Sequence, residues 1–161
     1  MTVRPTNAAE LAAAVREARR VRVRGRGDAE PDLPEGATLL DLSDCASVLE
    51  VDRLSGTVRV LAGARVSDVE EAVRREGHTL GPLLPSVLRG SVGAWLAGPT
   101  RGNRGIPGGR VETAALAVVA VLADGSIYSS RKAPRSAAGP DLDHLVLGAG
   151  GRTAVIAEAT L

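Results

Sequence analysis

Aromatic residues and cysteine are scarce in this chain of 161 residues. Trp95 and Tyr128 are its only Trp and Tyr, and it contains no Phe. The hydrophobic core therefore has to be built from Val, Leu, Ile and Ala. Cys45 is the only cysteine, which excludes a disulfide within the chain and a zinc site made of cysteines.

An excess of charge of one sign is also missing. The chain has 20 basic and 19 acidic side chains, for a formal net charge of +1. This balance argues against a nucleic-acid-binding surface. The longest apolar run, 114–123, is too short to span a bilayer, and the N-terminus lacks the apolar segment of a secretory signal. We therefore expect a cytoplasmic protein without a nucleic-acid or membrane partner.

Short helices and strands are predicted in an order that lacks a strict βαβ rhythm, which favours an α+β fold. One helix is expected after Asn7, with Glu10 reaching back to the helix start, and another over 67–76, opened by a capping box of Ser67 and Glu70. Further helical turns are predicted near 92–97 and over 141–147. The predicted strands are 21–24, 38–42, 48–51, 57–61, 111–123 (buried on both faces), 126–129 and a closing strand, 152–161.

Three glycine-rich turns stand out. The first is Arg24-Gly25-Arg26-Gly27, the second begins at Ser91-Val92-Gly93-Ala94, and the third is 147–151. Glycine lets main-chain N–H groups approach a phosphate closely. Each turn taken alone is equally typical of a surface turn or of close packing between a helix and a sheet.

The order of these turns resembles the FAD-binding domain of the p-cresol methylhydroxylase and vanillyl-alcohol oxidase superfamily. That family also has segments similar to 57–63, to Val121-Leu-Ala-Asp-Gly125 and to 148–160 of this chain. The alkylglycerone-phosphate synthase branch is the most similar one, on Thr79-Leu-Gly81, Ser86 and 91–97.

The resemblance implies a two-subdomain α+β fold with mixed and antiparallel sheets flanked by helices. The domain would span 1–161, with subdomains of about 1–80 and 81–161. FAD would lie extended between them, held non-covalently because the first turn has no histidine for attachment. The residues that the resemblance implicates in binding FAD are Arg24, Gly25, Arg26, Gly27, Asp28, Ala29, Pro85, Ser91, Val92, Gly93, Ala94, Ala97, Gly102, Gly109, Val155 and Ile156.

The implied function is that of the FAD-binding module of a flavin-dependent oxidoreductase. We assign no catalytic side chain, because no candidate has a convincing partner, and we predict no metal site. Enzymes of the family continue past the closing strand into a substrate-binding cap domain, which this chain is expected to lack. The expected partners besides FAD are thus a separate substrate-domain protein or a second copy, since an open closing strand would leave an exposed sheet edge.

A rival hypothesis is a flavin-free relic of the fold that acts as a binding or assembly module. The first turn and the residues after it carry four acids, beginning with Asp28, and a carboxylate ~4 Å from a phosphate charge costs ~1 kcal/mol in water and ~4 kcal/mol at a partly buried site. Ala94 also places a methyl group where the family has glycine. A third hypothesis is nucleotide or phosphate binding without redox chemistry, with Arg26 and Arg110 as anchors.

Overall fold

The computed structural model of the chain describes residues 1–28, 30–98, 111–131 and 142–161. Its strands are β1 (Thr2–Val3), β2 (Val21–Arg24), β3 (Thr38–Asp41), β4 (Val48–Asp52), β5 (Thr57–Leu61), β6 (Ala117–Leu122), β7 (Ile127–Ser129) and β8 (Ala154–Thr160). Its α-helices are α1 (Ala8–Glu17), α2 (Val66–Arg75), α3 (Pro85–Leu88) and α4 (Val92–Ala97), and 3₁₀ turns cover Leu42–Asp44, Val111–Thr113 and Leu142–Leu145. Ala29, Gly102, Gly109 and Arg110 lie outside the described residues.

Within these ranges the strands form two sheets. The first is parallel, with the order β1-β3-β2, and the second is antiparallel, with the order β4-β5-β8-β6-β7. The predicted α+β fold with mixed sheets is confirmed. The chain passes from one sheet to the other between Asp41 and Val48.

The last strand lies in the interior of its sheet. β8 pairs with β5 on one side, where Arg59 faces Thr160, and with β6 on the other, where Leu122 faces Ala154. The expectation of an open closing strand is therefore wrong, because both of its backbone edges are used. In the described part of this sheet, the outer strands are β4 and β7.

Two predicted element boundaries are corrected. The strand predicted over 111–123 is limited to β6, because β8 ends at Thr160 and its last pairing partner in β6 is Ala117. Helix α2 starts one residue before the predicted capping box, with Arg65 at its N-cap and no side-chain cap. Ser67 therefore lies inside the first turn.

The core lies where helices cover the antiparallel sheet. α1 packs against β6, and α4 against β8. Leu11, Leu96 and Val118 are among its fully buried side chains. The antiparallel sheet thus positions α4 and the turns beside it. No helix in the described ranges is long and apolar enough to cross a membrane.

Candidate cofactor-binding site

A cavity of about 860 Å³ lies between the parallel sheet and the antiparallel one. Its wall is formed by β2, the three glycine-rich turns, one side of α4 and the start of β8. A volume of this size is typical of a site for a small molecule or cofactor. The predicted site residues that line it are Arg24, Gly25, Gly27, Ser91, Gly93, Ala94, Ala97, Val155 and Ile156.

The first and second turns are packed directly against each other. A Cβ built on Gly25 would lie 2.6 Å from Cβ of Ser91, and one built on Gly27 would lie 2.8 Å from the backbone nitrogen of Ser91. Neither position has room for a side chain. The two glycines therefore allow the two turns to pack closely. The sequence had suggested a different reason for glycine here, namely close approach of the backbone to a phosphate.

Two backbone N–H groups of the first turn, those of Arg26 and Asp28, bind carbonyl groups of residues that do not line the cavity. The N–H of Arg26 donates to the carbonyl of Gly63 at 2.8 Å, and that of Asp28 donates to the carbonyl of Arg89 at 3.1 Å. Arg26 also donates from Nε to the carbonyl of Ser43 at 2.7 Å. Neither Arg26 nor Asp28 lines the cavity.

The carboxylate of Asp28 is neutralised by neighbouring arginines. It lies 2.7 Å from Nη1 of Arg65 and 4.0 Å from Nε of Arg89. The expected repulsion between Asp28 and a bound diphosphate is therefore not supported, because these cations offset its charge outside the cavity wall. Arg26 does not fold over the cavity either, because Ser43 binds its side chain.

The third turn is tied to the end of α4. The N–H of Gly148 donates to the carbonyl of Leu96 at 2.9 Å, and that of Gly150 to the carbonyl of Ala97 at 2.6 Å. Gly148, Gly150 and Gly151 all have positive φ, between 67° and 71°, which favours glycine. This turn therefore continues the wall that α4 begins, and Gly150 and Gly151 line the cavity.

Four arginines are among the residues that line the cavity. Arg20, Arg22, Arg24 and Arg152 line it, against Glu30 as the acidic residue among the described lining residues. Three of these arginines were missed as site residues by sequence reasoning. The alternation over 21–24 suggested only a short strand. The one signal for Arg152 was its position directly after Gly151.

Arg24 is held by two carboxylates. Its Nη2 donates to Asp41 at 2.7 Å, and its Nη1 lies 3.0 and 3.1 Å from the two carboxylate oxygens of Glu30. Asp41 is buried, with 1% of its surface exposed. Burial raises the pKa of Asp41, but hydrogen bonds from Arg24 and Ser43 outweigh burial and lower that pKa to about 2. Asp41 is thus an ionised anchor for the Arg24 guanidinium at neutral pH.

Pro85 and Val92 are predicted site residues that do not line the cavity. Pro85 is the first residue of α3. Val92 is fully buried in the core, and its N–H donates to the carbonyl of Ala64 at 2.8 Å. Val92 therefore anchors the second turn to the core and does not face the cavity.

Residues 1–131 match the family described as the FAD-binding domain. The chain belongs to this family. The match covers most of the chain and includes the first two turns and the hairpin of β6 and β7. The cofactor that this FAD-binding domain binds is accordingly FAD, as the sequence predicted.

Known proteins similar to this domain are much longer than it is. An uncharacterized FAD-linked oxidoreductase of Escherichia coli K12, YgcU, is 29% identical over 127 residues, which are 79% of this chain and 26% of that protein. Alkyldihydroxyacetonephosphate synthase of Caenorhabditis elegans is 26% identical over 122 residues, which are 76% of this chain and 20% of that protein. A solved structure of an alkyldihydroxyacetonephosphate synthase matches 99% of this chain and 30% of its own, with a TM-score of 0.78 and 22% identity. The chain thus spans about a quarter of the length of these relatives.

Proposed function

We propose that this FAD-binding domain holds FAD non-covalently in the cavity between its two sheets, as the cofactor-binding module of a flavin-dependent oxidoreductase. The observation that carries the proposal is the meeting of three glycine-rich turns and four arginines around one cavity. The E. coli relative, whose name describes it as an FAD-linked oxidoreductase, supports the type of reaction.

The residues of the cavity fit the charge and the shape of this cofactor. The FAD diphosphate is a dianion, and Arg20, Arg22 and Arg152 line the wall in addition to Arg24, whose charge Asp41 and Glu30 offset. The guanidinium group can bind phosphate oxygens through two parallel hydrogen bonds. The small side chains of Ala94 and Ala97 line the cavity on the side of α4, and a Cβ built at Gly150 or Gly151 would meet nothing within 4 Å.

By this proposal each part of the wall has its own task. Arg20, Arg22 and Arg24 of the β2 side, with Arg152 opposite, bind and orient the diphosphate. Val155 and Ile156 at the start of β8 offer an apolar surface that excludes water from a ring packed against them. When bound, FAD supplies a flavin that accepts electrons from a substrate, and the protein contributes orientation and electrostatics.

We also propose that the substrate is bound by protein outside the FAD-binding domain, in a longer polypeptide, a separate partner or a second copy of the chain. The length of the relatives supports this. The subdomain division and the cytoplasmic location remain predictions from the sequence.

A titration of the full chain with FAD tests the cofactor site. We expect saturable binding seen by flavin absorbance and by calorimetry. Arg20→Gln is expected to weaken binding by about two- to tenfold, because it removes one positive charge from the wall. Arg19→Gln, which removes the same charge from a neighbouring residue that does not line the cavity, is the matched control and is expected to stay within about twofold.

The rival flavin-free function makes the opposite prediction. A colourless protein that does not respond to excess FAD would overturn the proposal. Equal effects of Arg19→Gln and Arg20→Gln on FAD affinity would show that the affinity depends on the net charge of the protein. The assignment of the FAD site to this cavity would then be wrong. Asp28 no longer supports the rival, because it is paired with Arg65 and Arg89.

A further inference from the structure

The two carboxylates on Arg24 differ in their surroundings. The side chain of Asp41 is 1% exposed and also accepts hydrogen bonds from the backbone N–H and the hydroxyl of Ser43. The side chain of Glu30 is 73% exposed, and Arg24 is its ion-pair partner in the described residues. Asp41 is therefore fixed, whereas Glu30 can leave at little cost.

Glu30 also occupies the place where a ligand would meet Arg24. Both Glu30 and Arg24 line the cavity, and the carboxylate of Glu30 binds Nη1 through both of its oxygens. A carboxylate bound in this way imitates a phosphate, because both present two anionic oxygens to one guanidinium group. The cavity thus contains its own anion at a cationic group.

We propose that Glu30 is an autoinhibitory competitor for Arg24: it holds the guanidinium until a phosphate-bearing ligand displaces it, and so it lowers the affinity of the cavity for the diphosphate group. The inference rests on the function proposed above, and it assigns Glu30 a role of its own. Displacement requires only rotation of an exposed side chain into water. Asp41 keeps Arg24 in position during the exchange.

The competition distinguishes ligands by chemical class. A ligand with a diphosphate has to displace Glu30 and pays that cost on binding. Riboflavin, which carries the flavin ring without the diphosphate, has no group that competes with Glu30. Removing the charge of Glu30 should therefore improve the binding of FAD and ADP and leave the binding of riboflavin unchanged.

Glu30→Gln in the full chain tests the proposal, with FAD, ADP and riboflavin titrated separately by calorimetry. We expect FAD and ADP to bind about two- to fivefold more tightly, as for the loss of an exposed ion pair, and riboflavin to be unaffected. Glu35→Gln is the matched control, because Glu35 is an exposed acid of the same loop that does not line the cavity. In an Arg24→Gln background, Glu30→Gln should bring no gain, because the contact it relieves is already gone.

The other possible results contradict either the competitor role of Glu30 or the proposed FAD site. Unchanged affinity of Glu30→Gln for FAD, in a protein that binds FAD before substitution, overturns the competitor role and leaves the FAD site standing. An equal gain from Glu35→Gln, or an equal gain for riboflavin, overturns it as well, because the effect would not act through Arg24. Absence of FAD binding by the unsubstituted chain overturns the proposed function itself.

Discussion

At the scale of single residues, Gly25 shapes the cavity because its lack of a side chain allows Ser91 to pack against it. Its missing Cβ makes room for Ser91, which belongs to a turn 66 residues later in the chain. A side chain at this position would push the two turns apart and open the wall of the cavity. The glycine is therefore required by tertiary packing, although its own backbone does not adopt a positive φ.

We predict that Gly25→Ala destabilises the protein by about 1–3 kcal/mol, the usual cost of overpacking a close contact, and weakens FAD binding. Urea unfolding and FAD titration measure the two effects. Ser91→Gly removes the two nearest atoms that the new methyl group would meet, Cβ and Oγ of Ser91, so the double variant should lose less stability than the sum of the two single changes. Strict additivity would contradict the clash as the cause.

The ionisation of Asp41 makes the stability of the folded state depend on pH. Its pKa in the folded protein, about 2, lies below its ordinary value of 3.8. A carboxylate whose pKa is lowered by folding stabilises the folded state at pH values above its ordinary pKa. This stabilisation is lost as the pH falls through the pKa of the folded protein. The contribution at neutral pH amounts to about 2 kcal/mol.

Asp41→Asn is accordingly predicted to lower the free energy of unfolding by about 2 kcal/mol at pH 7, and the difference from the unsubstituted protein should shrink between about pH 4 and pH 2. Chemical denaturation across this range measures it. Asp44→Asn changes an exposed carboxylate in the same 3₁₀ turn and should have little effect. A difference that stays constant with pH would show that packing rather than charge accounts for the loss.

At the scale of elements, α2 is fastened to the loop that follows it by one side chain. Glu70 accepts hydrogen bonds from Oγ1 of Thr79 at 2.7 Å, from the N–H of Leu80 at 2.8 Å and from Nε of Arg74 at 2.5 Å. Burial raises the pKa of Glu70, but these hydrogen bonds outweigh it and lower the pKa. The residue predicted to cap the start of α2 thus fixes the chain beyond its end.

We predict that Glu70→Ala lowers stability by about 1–3 kcal/mol, because the part-buried hydrogen bonds that tie Thr79 and Leu80 to α2 are lost. Glu71→Ala is the matched control. Glu71 also pairs with an arginine four residues later, Arg75, but both side chains are exposed, so the loss should stay below about 0.5 kcal/mol. Equal losses in a thermal or urea unfolding experiment would rule out the loop contact as the reason.

At the scale of the whole molecule, the cavity joins the two sheets. β2 belongs to the parallel sheet and β8 to the antiparallel one, and both contribute to the wall. A ligand bound there contacts both sheets at once, and it binds the folded state alone. FAD should therefore raise the melting temperature of the entire domain in one transition.

FAD at 100 times its dissociation constant stabilises the folded state by about 2.7 kcal/mol. For a chain of this size that corresponds to a rise of roughly 5–10 °C in the melting temperature. Differential scanning calorimetry measures the shift, with riboflavin as the comparison without a diphosphate. Two separate transitions, only one of which responds to FAD, would contradict a site shared by both sheets.

Local patterns in the sequence were sufficient for the elements whose signals are local. The helix after Asn7, the strand 21–24, the hairpin around Asp124 and Gly125 and the helical turn at 92–97 all form as predicted. Their signals are caps, alternation and turn residues, which act over a few residues. The family was recognised from the order of the glycine-rich turns along the chain, although no single turn identifies it.

The composition and the local signals of the sequence by themselves determined an aliphatic core and an α+β fold, and the order of its motifs gave the resemblance to a family that binds FAD. Only the tertiary structure decided which turn residues line the cavity, that Asp28 is paired outside it, and that β8 lies between β5 and β6. These outcomes depend on contacts such as Gly25 with Ser91 and Arg59 with Thr160, whose partners are far apart in the chain. No local pattern encodes such pairs, because their geometry exists only after the two sheets have packed against each other.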